Sequence, residues 1–372
     1  MTVERSMLSW QQARELILNL STPLGSEVVE LSKSLDRVLV SDITAMRMLP
    51  PWDNSAMDGY AVRVSDCNED EPLSVGGTIA AGHPAGQPLP QRTALRIMTG
   101  APIPDGADAV IMREEATEQD GHVRFVKQPR LGQHIRHAGE DVRVGNTVLA
   151  AGSRLGPGEL GLLAALGRLL VGVHRRPQVA IVSTGDELVT ADEQPQSGQI
   201  VNSNAHCLLA LVERSGGVGR ILPIARDSKD DLMRCLGEAF AADVVISSGG
   251  VSVGDFDFVK EVFAQLGAKE RFFRVAMKPG KPLVFSTIEH RGRQTLVFGL
   301  PGNPASSLVS FELFVLPALR RLLGLAAGLP CRCRNHGNRR HPQTACECRR
   351  QRAGALPARH PHRRGGRVRR RW

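Results

Sequence analysis

Hydrophobic positions along this chain follow two rhythms. From Ser9 to Leu20 they fall at Trp10, Ala13, Leu16, Ile17 and Leu20, a helical stripe with Ser9 placed as its N-cap. A second short helix is expected over Leu31–Arg37. Residues 72–130 switch to short alternating stretches (LSVGGTI, ALRIMTG, ADAVIMRE, HVRFVKQP) punctuated by Gly and Pro. They predict a β-rich unit with little helix. Residues 131–176 change again and end in a helix expected over Pro157–Leu166. From Pro177 strand-like runs alternate with helices expected at Asn202–Ser215, Lys229–Ala241, Asp257–Leu266 and Pro304–Leu323. That alternation predicts an α/β unit whose parallel sheet is covered on both faces.

Four apolar runs in this last region end in glycine and polar residues. They are VAIVSTGDEL (Val179–Leu188), ADVVISSGGVSVGD (Ala242–Asp255), FRVAMKPGKPLVF (Phe273–Phe285) and TLVFGLPGNPASS (Thr295–Ser307). Each reads as a buried parallel strand opening into a loop at its carboxyl end, where ligands of open α/β sheets bind. Converging loops would bring Asp186, Glu187, Asp255, Lys278 and Lys281 into one crevice. Lysines and bare glycine amides suit phosphate, and carboxylates suit a hard cation such as Mg²⁺. Each motif alone also has a plain structural reading. STGDEL could open a helix with acids at its positive end, and KPGKP could be an exposed basic turn. Asp255 and Asn303 could be N-caps, the latter followed by Pro304 in the first turn. MDGYAV (Met57–Val62) and MTGAPIPDGADAV (Met98–Val110) could be ordinary turns.

Charge and cysteine divide the chain unevenly. The formal net charge is +9, yet residues 329–372 hold 14 Arg and a single acid, Glu347. The preceding 328 residues carry 33 basic and 37 acidic groups, so the body gives no argument for nucleic acid. Cys67, Cys207 and Cys235 are scattered and read as reduced small hydrophobes, while Cys331, Cys333, Cys346 and Cys348 lie in the basic tail. The Cys-x-Cys spacing is narrower than that of structural zinc pairs. The polar N-terminus reads as no signal peptide, and no apolar stretch reaches about 18 residues, so a soluble cytoplasmic chain is expected. The tail has almost no apolar periodicity and is expected to be disordered.

The ordered series MDGYA, MTGAP, STGDEL, GQIVNSN, SGGVSVGD, KPGKP and GLPGNP, over roughly residues 7–328, resembles the MoeA and gephyrin E-domain family, the molybdopterin molybdenumtransferases. The resemblance implies an α/β multidomain fold. It has an elongated N-terminal linking domain (residues 1–50 and 131–176), a β-rich insert domain (51–130) and a parallel-sheet molybdopterin-binding domain (177–328). Where the family continues into a small β-barrel domain, residues 329–372 show no strand pattern, and a frameshift is the expected origin. The implied activity inserts molybdate into adenylylated molybdopterin and releases AMP in a Mg²⁺-dependent step of molybdenum cofactor biosynthesis. The motif match carries over Asp58, Thr99, Glu187, Asp227 and Asp255 as catalytic, with Glu187, Asp227 and Asp255 also as metal ligands. It carries over Ser183, Thr184, Gly185, Gly249, Gly250, Lys278, Lys281, Pro301, Gly302 and Asn303 as substrate-binding. A homodimer is implied, with Asp58 and Thr99 meeting the loops of the partner chain. Molybdopterin adenylyltransferase and molybdoenzyme maturation proteins are the implied partners, with no membrane and no specific nucleic acid. Two other readings stand beside this one: a non-catalytic molybdopterin-binding remnant, and the related adenylyltransferase. The N-terminal 176 residues argue against the latter.

Overall fold

Ser9 starts the first helix by a reciprocal exchange. The computed structural model describes residues 7–68, 71–226, 228–249, 262–263, 265–290 and 292–325. In it the Gln12 N–H donates to Ser9 Oγ at 3.2 Å, and the Ser9 N–H donates to Gln12 Oε1 at 3.0 Å. This capping box satisfies two backbone donors at the head of α1 (Trp10–Leu20). The helix buries Ala13 and Ile17, two members of its predicted stripe. The helix expected over Leu31–Arg37 is cut to one 3-10 turn, Leu31–Lys33. Ser34 Oγ donates to the Leu31 carbonyl at 2.7 Å, and Asp36 takes a φ of 63°. A side chain competing for the backbone and a left-handed residue together end the turn.

Segments far apart in sequence then pair. Ser26–Glu30 runs antiparallel to Leu170–His174, and Ile43–Thr44 to Thr147–Leu149. Leu39, Leu155, Leu163, Val171 and Val173 form the core beneath them, with Leu163 supplied by α2 (Pro157–Ala165). A six-stranded sheet holds β1 (Gly59–Val62), β2 (Leu73–Ile79), β3 (Thr93–Ile97), β4 (Ala109–Met112), β5 (Ala116–Gln119) and β6 (His122–Phe125). Its order is β4-β1-β3-β2-β6-β5, antiparallel except between β2 and β3. Tyr60 and Val62 pack on one face and Ala61 on the other, so β1 is buried on both. Gly59 is required here for packing, because a Cβ would collide with the Ile111 carbonyl of β4.

The second large sheet holds β7 (Gln178–Ser183), β8 (Val218–Ile221), β9 (Val244–Ser248), β10 (Lys269–Phe273), β11 (Val284–His290) and β12 (Arg293–Leu300). The order is β8-β7-β9-β12-β11-β10. Four strands, β8 through β12 in that order, are parallel as expected. The FRVAMKPGKPLVF run differs: β11 is antiparallel to both β12 and β10. Its strands follow one another through short connections, which only antiparallel neighbours allow. Two reversals leave β10 pointing the same way as β12. The loop after Phe273 therefore emerges at the carboxyl edge of the parallel strands, where the sequence places it.

Helices cover both faces of this sheet. Ile181, Ile246 and Phe298 meet α1, α3 (Ser203–Arg214) and the C-terminal helical segment, while Val182, Val245 and Val297 meet α4 (Lys229–Ala239). The helix expected over Pro304–Leu323 is three pieces: α5 (Pro304–Ser310), a π turn (Phe311–Val315) and α6 (Leu316–Leu322). Pro317 has no N–H to give the Leu313 carbonyl, and the wide turn absorbs the missing bond. Among the described residues no helix is long and apolar enough to cross a membrane.

Asp243, just ahead of β9, ties this sheet to the segment that enters it. Arg175 Nη1 and Nη2 donate to the two carboxylate oxygens at 2.7 and 2.6 Å, Arg293 Nη2 donates at 2.8 Å, and the Gln178 N–H at 2.9 Å. Burial alone pushes this carboxyl up. The Arg175 guanidinium, the Gln178 N–H and Arg293 together outweigh it and hold the group below the ordinary carboxylate range. Replacing Asp243 by Ala leaves two guanidinium groups and an N–H without their acceptor. The expected cost is about 3 kcal/mol, the low end for a broken buried pair because both arginines keep some water. Urea unfolding of the two proteins measures it. Because the folded-state value is lowered, the wild-type advantage is complete above the ordinary range and disappears as the pH falls through the lowered value.

Candidate functional site

The carboxyl ends of β7, β9 and β12 stand in one row. Ser183 pairs with Ser248 and Ser248 with Leu300, so the loops after all three begin at the same level. After Ser183 no helix begins. Thr184 bridges Ala225, and the Gly185 N–H donates to the Ala225 carbonyl at 3.2 Å. Glu187 folds its carboxylate over Gly185, where a Cβ would displace it. The chain then forms a short strand, Leu188–Val189, parallel to Ile200–Val201. The reading of STGDEL as a plain helix start is therefore wrong.

Asn202 and Asn204 close the other side. Asn202 caps α3, accepting the Ala205 N–H at 3.3 Å, and its Oδ1 also receives Ser183 Oγ at 3.2 Å. Asn204 Nδ2 donates to Ser248 Oγ at 3.1 Å and to the Gly302 carbonyl at 2.7 Å. One amide thus clasps the head of α3, the end of β9 and the loop after β12. Gly249 adopts a φ of +93°, and a Cβ on it would stand 2.6 Å from the Thr184 carbonyl. Gly302 packs against the Gly249 Cα, 3.7 Å from where its own Cβ would be. These groups line a pocket of about 250 Å³ whose apolar side is Leu188, Ile200, Val201 and Pro304.

Of the residues singled out in the sequence, Thr184, Glu187, Gly249 and Gly302 line this pocket. Ser183 is buried behind it, and Gly185 beneath Glu187. Pro301 is buried, and Asn303 caps α5 through the Ser306 N–H at 3.2 Å, as its plain structural reading holds. Lys278 and Lys281 lie on the loop at this sheet edge but do not line the pocket. Between them Gly280 is buried against Met277 and Ser310. Asp227, Gly250 and Asp255 lie outside the described residues. The pocket also uses Asn202, Ser203, Asn204 and Ser248, which the sequence does not single out as site residues. GQIVNSN belongs to the motif series, and its two asparagines are the signal that points to them.

Asp58 and Thr99 form a separate pair on the first sheet. The Thr99 N–H and Oγ1 donate to Asp58 Oδ1 at 2.6 and 2.7 Å. The Thr99 N–H first, then its hydroxyl, with the Arg113 charge adding, hold the Asp58 carboxyl below its ordinary value. It is therefore ionised at neutral pH.

Among the described residues no three His, Cys, Asp or Glu side chains gather as a metal-binding group. Glu187 is the one carboxylate among the described residues lining the pocket, and the hydroxyl of Thr184, another lining residue, is buried without a partner. These are hard oxygen donors, and one or two carboxylates supplemented by water and phosphate are what Mg²⁺ takes. The donor set fits that ion.

Comparison with known proteins bears on the family of the chain. Residues 8–167 match the family model described as "MoeA N-terminal region (domain I and II)", and residues 180–321 match "Probable molybdopterin binding domain". The chain is 42% identical over 332 residues to a molybdopterin molybdenumtransferase of Nostoc sp., covering 87% of this chain and 76% of that protein. It is 42% identical over 321 residues to the Haemophilus influenzae protein of the same name, covering 86% and 78%. A crystal structure of the molybdopterin biosynthesis MoeA protein from Pyrococcus horikoshii OT3 superposes with a TM-score of 0.73 at 31% identity, covering 86% of this chain and 80% of that one.

The bare α-position of Gly249 can be tested. Gly249→Ala puts a methyl group against the Thr184 carbonyl at a φ that side chains avoid. The variant is expected to lose more than about 1 kcal/mol of stability, read as a lowered melting temperature. An unchanged melting temperature would mean that the loop moves freely away from Thr184.

Proposed function

Because the chain belongs to the MoeA family, whose members are transferases of molybdenum cofactor biosynthesis, we propose that it inserts molybdate into adenylylated molybdopterin and releases AMP. The observation that carries this reading is the pocket at the carboxyl edge of the sheet, which Glu187 lines together with the bare backbone of Gly249 and Gly302. A substrate joining two phosphates is polyanionic. Glycine amides allow its oxygens to approach the main chain, and Lys278 and Lys281, on the same edge, offset its charge. Glu187 would hold Mg²⁺ together with Asp227 and Asp255, the other two carboxylates that the motif match carries over as metal ligands. When bound, the ion would draw charge from the phosphate oxygens.

Asp58 and Thr99 have a different part in this reading. An ionised carboxylate accepts hydrogen bonds and repels an oxyanion. Of the two substrates, Asp58 therefore suits the N–H groups of the pterin rather than molybdate. Thr99, donating both its groups to Asp58, fixes that carboxylate in place. The reading includes a cytoplasmic homodimer in which this pair serves the pocket of the partner chain, with substrate coming from an adenylyltransferase. The N-terminal match over residues 8–167 supports it over a lone α/β adenylyltransferase.

The test supplies adenylylated molybdopterin, molybdate and Mg²⁺ to the full chain and follows AMP by chromatography. AMP should appear only when molybdate and Mg²⁺ are both present. Glu187→Gln, which removes the charge and keeps the shape, should slow release about 10- to 100-fold, with partial recovery as Mg²⁺ is raised. Release that ignores the divalent ion would remove Glu187 from a metal role. No release under any condition would leave a binding protein.

A further inference from the structure

We propose that Ser55 is a positioning residue for the reaction: its hydroxyl and its main chain together set the Asp58–Thr99 pair for the organic substrate. The part played in the reaction rests on the transferase reading; the seating of the pair does not.

The pair stands on an open rim. Asp58 and Thr99 are exposed, and so are the residues directly ahead of them, Met57 at 40% and Met98 at 39%. Side chains with no packing around them keep their rotamer freedom. Hydrogen bonds rather than a core must therefore bring the Thr99 N–H and Oγ1 to 2.6 and 2.7 Å from Asp58 Oδ1. The two residues also come from different loops, 41 positions apart in the chain.

Ser55 grips both loops. It is 1% exposed. Within its own loop its Oγ donates to the Met57 carbonyl at 2.6 Å and accepts the Met57 N–H at 3.3 Å. Met57 directly precedes Asp58, so this two-way exchange fixes the turn that presents the carboxylate. Toward the other loop Ser55 uses its main chain. The Gly100 N–H donates to the Ser55 carbonyl at 2.8 Å, and the Ser55 N–H donates to the Ala101 carbonyl at 3.0 Å. Gly100 directly follows Thr99, and its φ of +80° turns the chain there.

The backbone of Ser55 has support of its own. The strand Asn54–Ser55 pairs with Ile135–Arg136. Just ahead of it, the Asp53 carboxylate accepts the Ala138 N–H at 2.7 Å, and its other oxygen lies 3.0 Å from His137 Nδ1. Beyond the pair, the Arg113 N–H donates to the Asp58 carbonyl at 3.1 Å as β1 begins. Cutting back the Ser55 side chain therefore leaves the strand in place and frees only the turn at Met57. Among the described residues no other side chain is hydrogen-bonded to the Met57 main chain.

Amide exchange at Thr99, followed by NMR in the full chain at neutral pH, tests the seating without any ligand. Thr99 is exposed, so the Asp58 carboxylate is what protects its N–H. Ser55→Ala should speed that exchange about tenfold, the effect of weakening one hydrogen bond to a charged group. The Gly100 N–H, which meets the Ser55 main chain, should exchange as before. Ser55→Thr keeps the hydroxyl and should restore wild-type exchange; if it is too crowded to fold, Ser55→Ala decides alone. Should Ser55→Ala itself fail to fold, Ser55→Cys, with a weak donor in place of the hydroxyl, is read in the same way. In the AMP-release assay Ser55→Ala should raise KM for adenylylated molybdopterin about tenfold and leave KM for molybdate as it was, because Asp58 serves the organic substrate. Thr99 exchange unchanged in Ser55→Ala overturns the proposal, since the hydroxyl then does not hold the pair. Exchange speeded throughout the chain also overturns it, since Ser55 then only stabilises the fold. Thr99 exchange speeded with both KM values unaltered overturns the role in the reaction and keeps the enzyme. Thr99 exchange speeded as expected, in a protein whose wild type releases no AMP, keeps the seating of the pair and rejects the enzyme.

Discussion

Ser183, Ser248 and Leu300 stand shoulder to shoulder because parallel strands β7, β9 and β12 hydrogen-bond in one fixed register. Everything at the pocket depends on that row. A strand slipped by one residue would turn every side chain to the other face. Ile181, Ile246 and Phe298 would then leave the core they share on one face, and Val182, Val245 and Val297 the core on the other. Two packed cores therefore hold the register against slippage. The loops inherit a common starting line, and one Asn204 amide ties the end of β9 and the loop after β12 to the head of α3.

Two asparagines in similar places behave differently, and the difference is instructive. Asn303 caps α5, and its side chain meets the Ser306 N–H and hydroxyl within its own first turn. Asn202 caps α3 and also receives Ser183 from the end of β7. Sequence offers the same residue before the same kind of helix in both cases. What separates them is the loop opposite, which the local pattern does not contain.

Much of the architecture is legible in the sequence. The Ser9 cap, the α3 and α4 spans and the parallel direction of β7, β9 and β12 follow from period and turn chemistry, while the order in which they pair does not. The direction of β10 and β11 is not legible. An apolar run reads alike whichever way its neighbour points. The 3-10 turn at Leu31–Lys33 and the π turn ahead of Pro317 are hidden because each depends on a single side chain overriding a helical stretch. At the site, Glu187 and Gly249 are chemically conspicuous, while Asn204 is not, because its importance lies in what it joins. Gly59 sits in a motif that suggests a ligand, yet its part is to make room for a neighbouring strand.

The antiparallel pair at the end of the second sheet has a consequence in time as well as in space. β11 and β12 are paired from Val284–Gly299 to His290–Arg293, across a connection only two residues long. Contacts so close in sequence form on the microsecond scale, whereas a parallel neighbour must wait for an intervening crossover to close. β12 can therefore exist early as a ready template, with its other edge still bare. β9 and then β7 join it through far longer loops. The pocket, built where those three strands end, therefore depends on the contacts of this sheet that cost most to close.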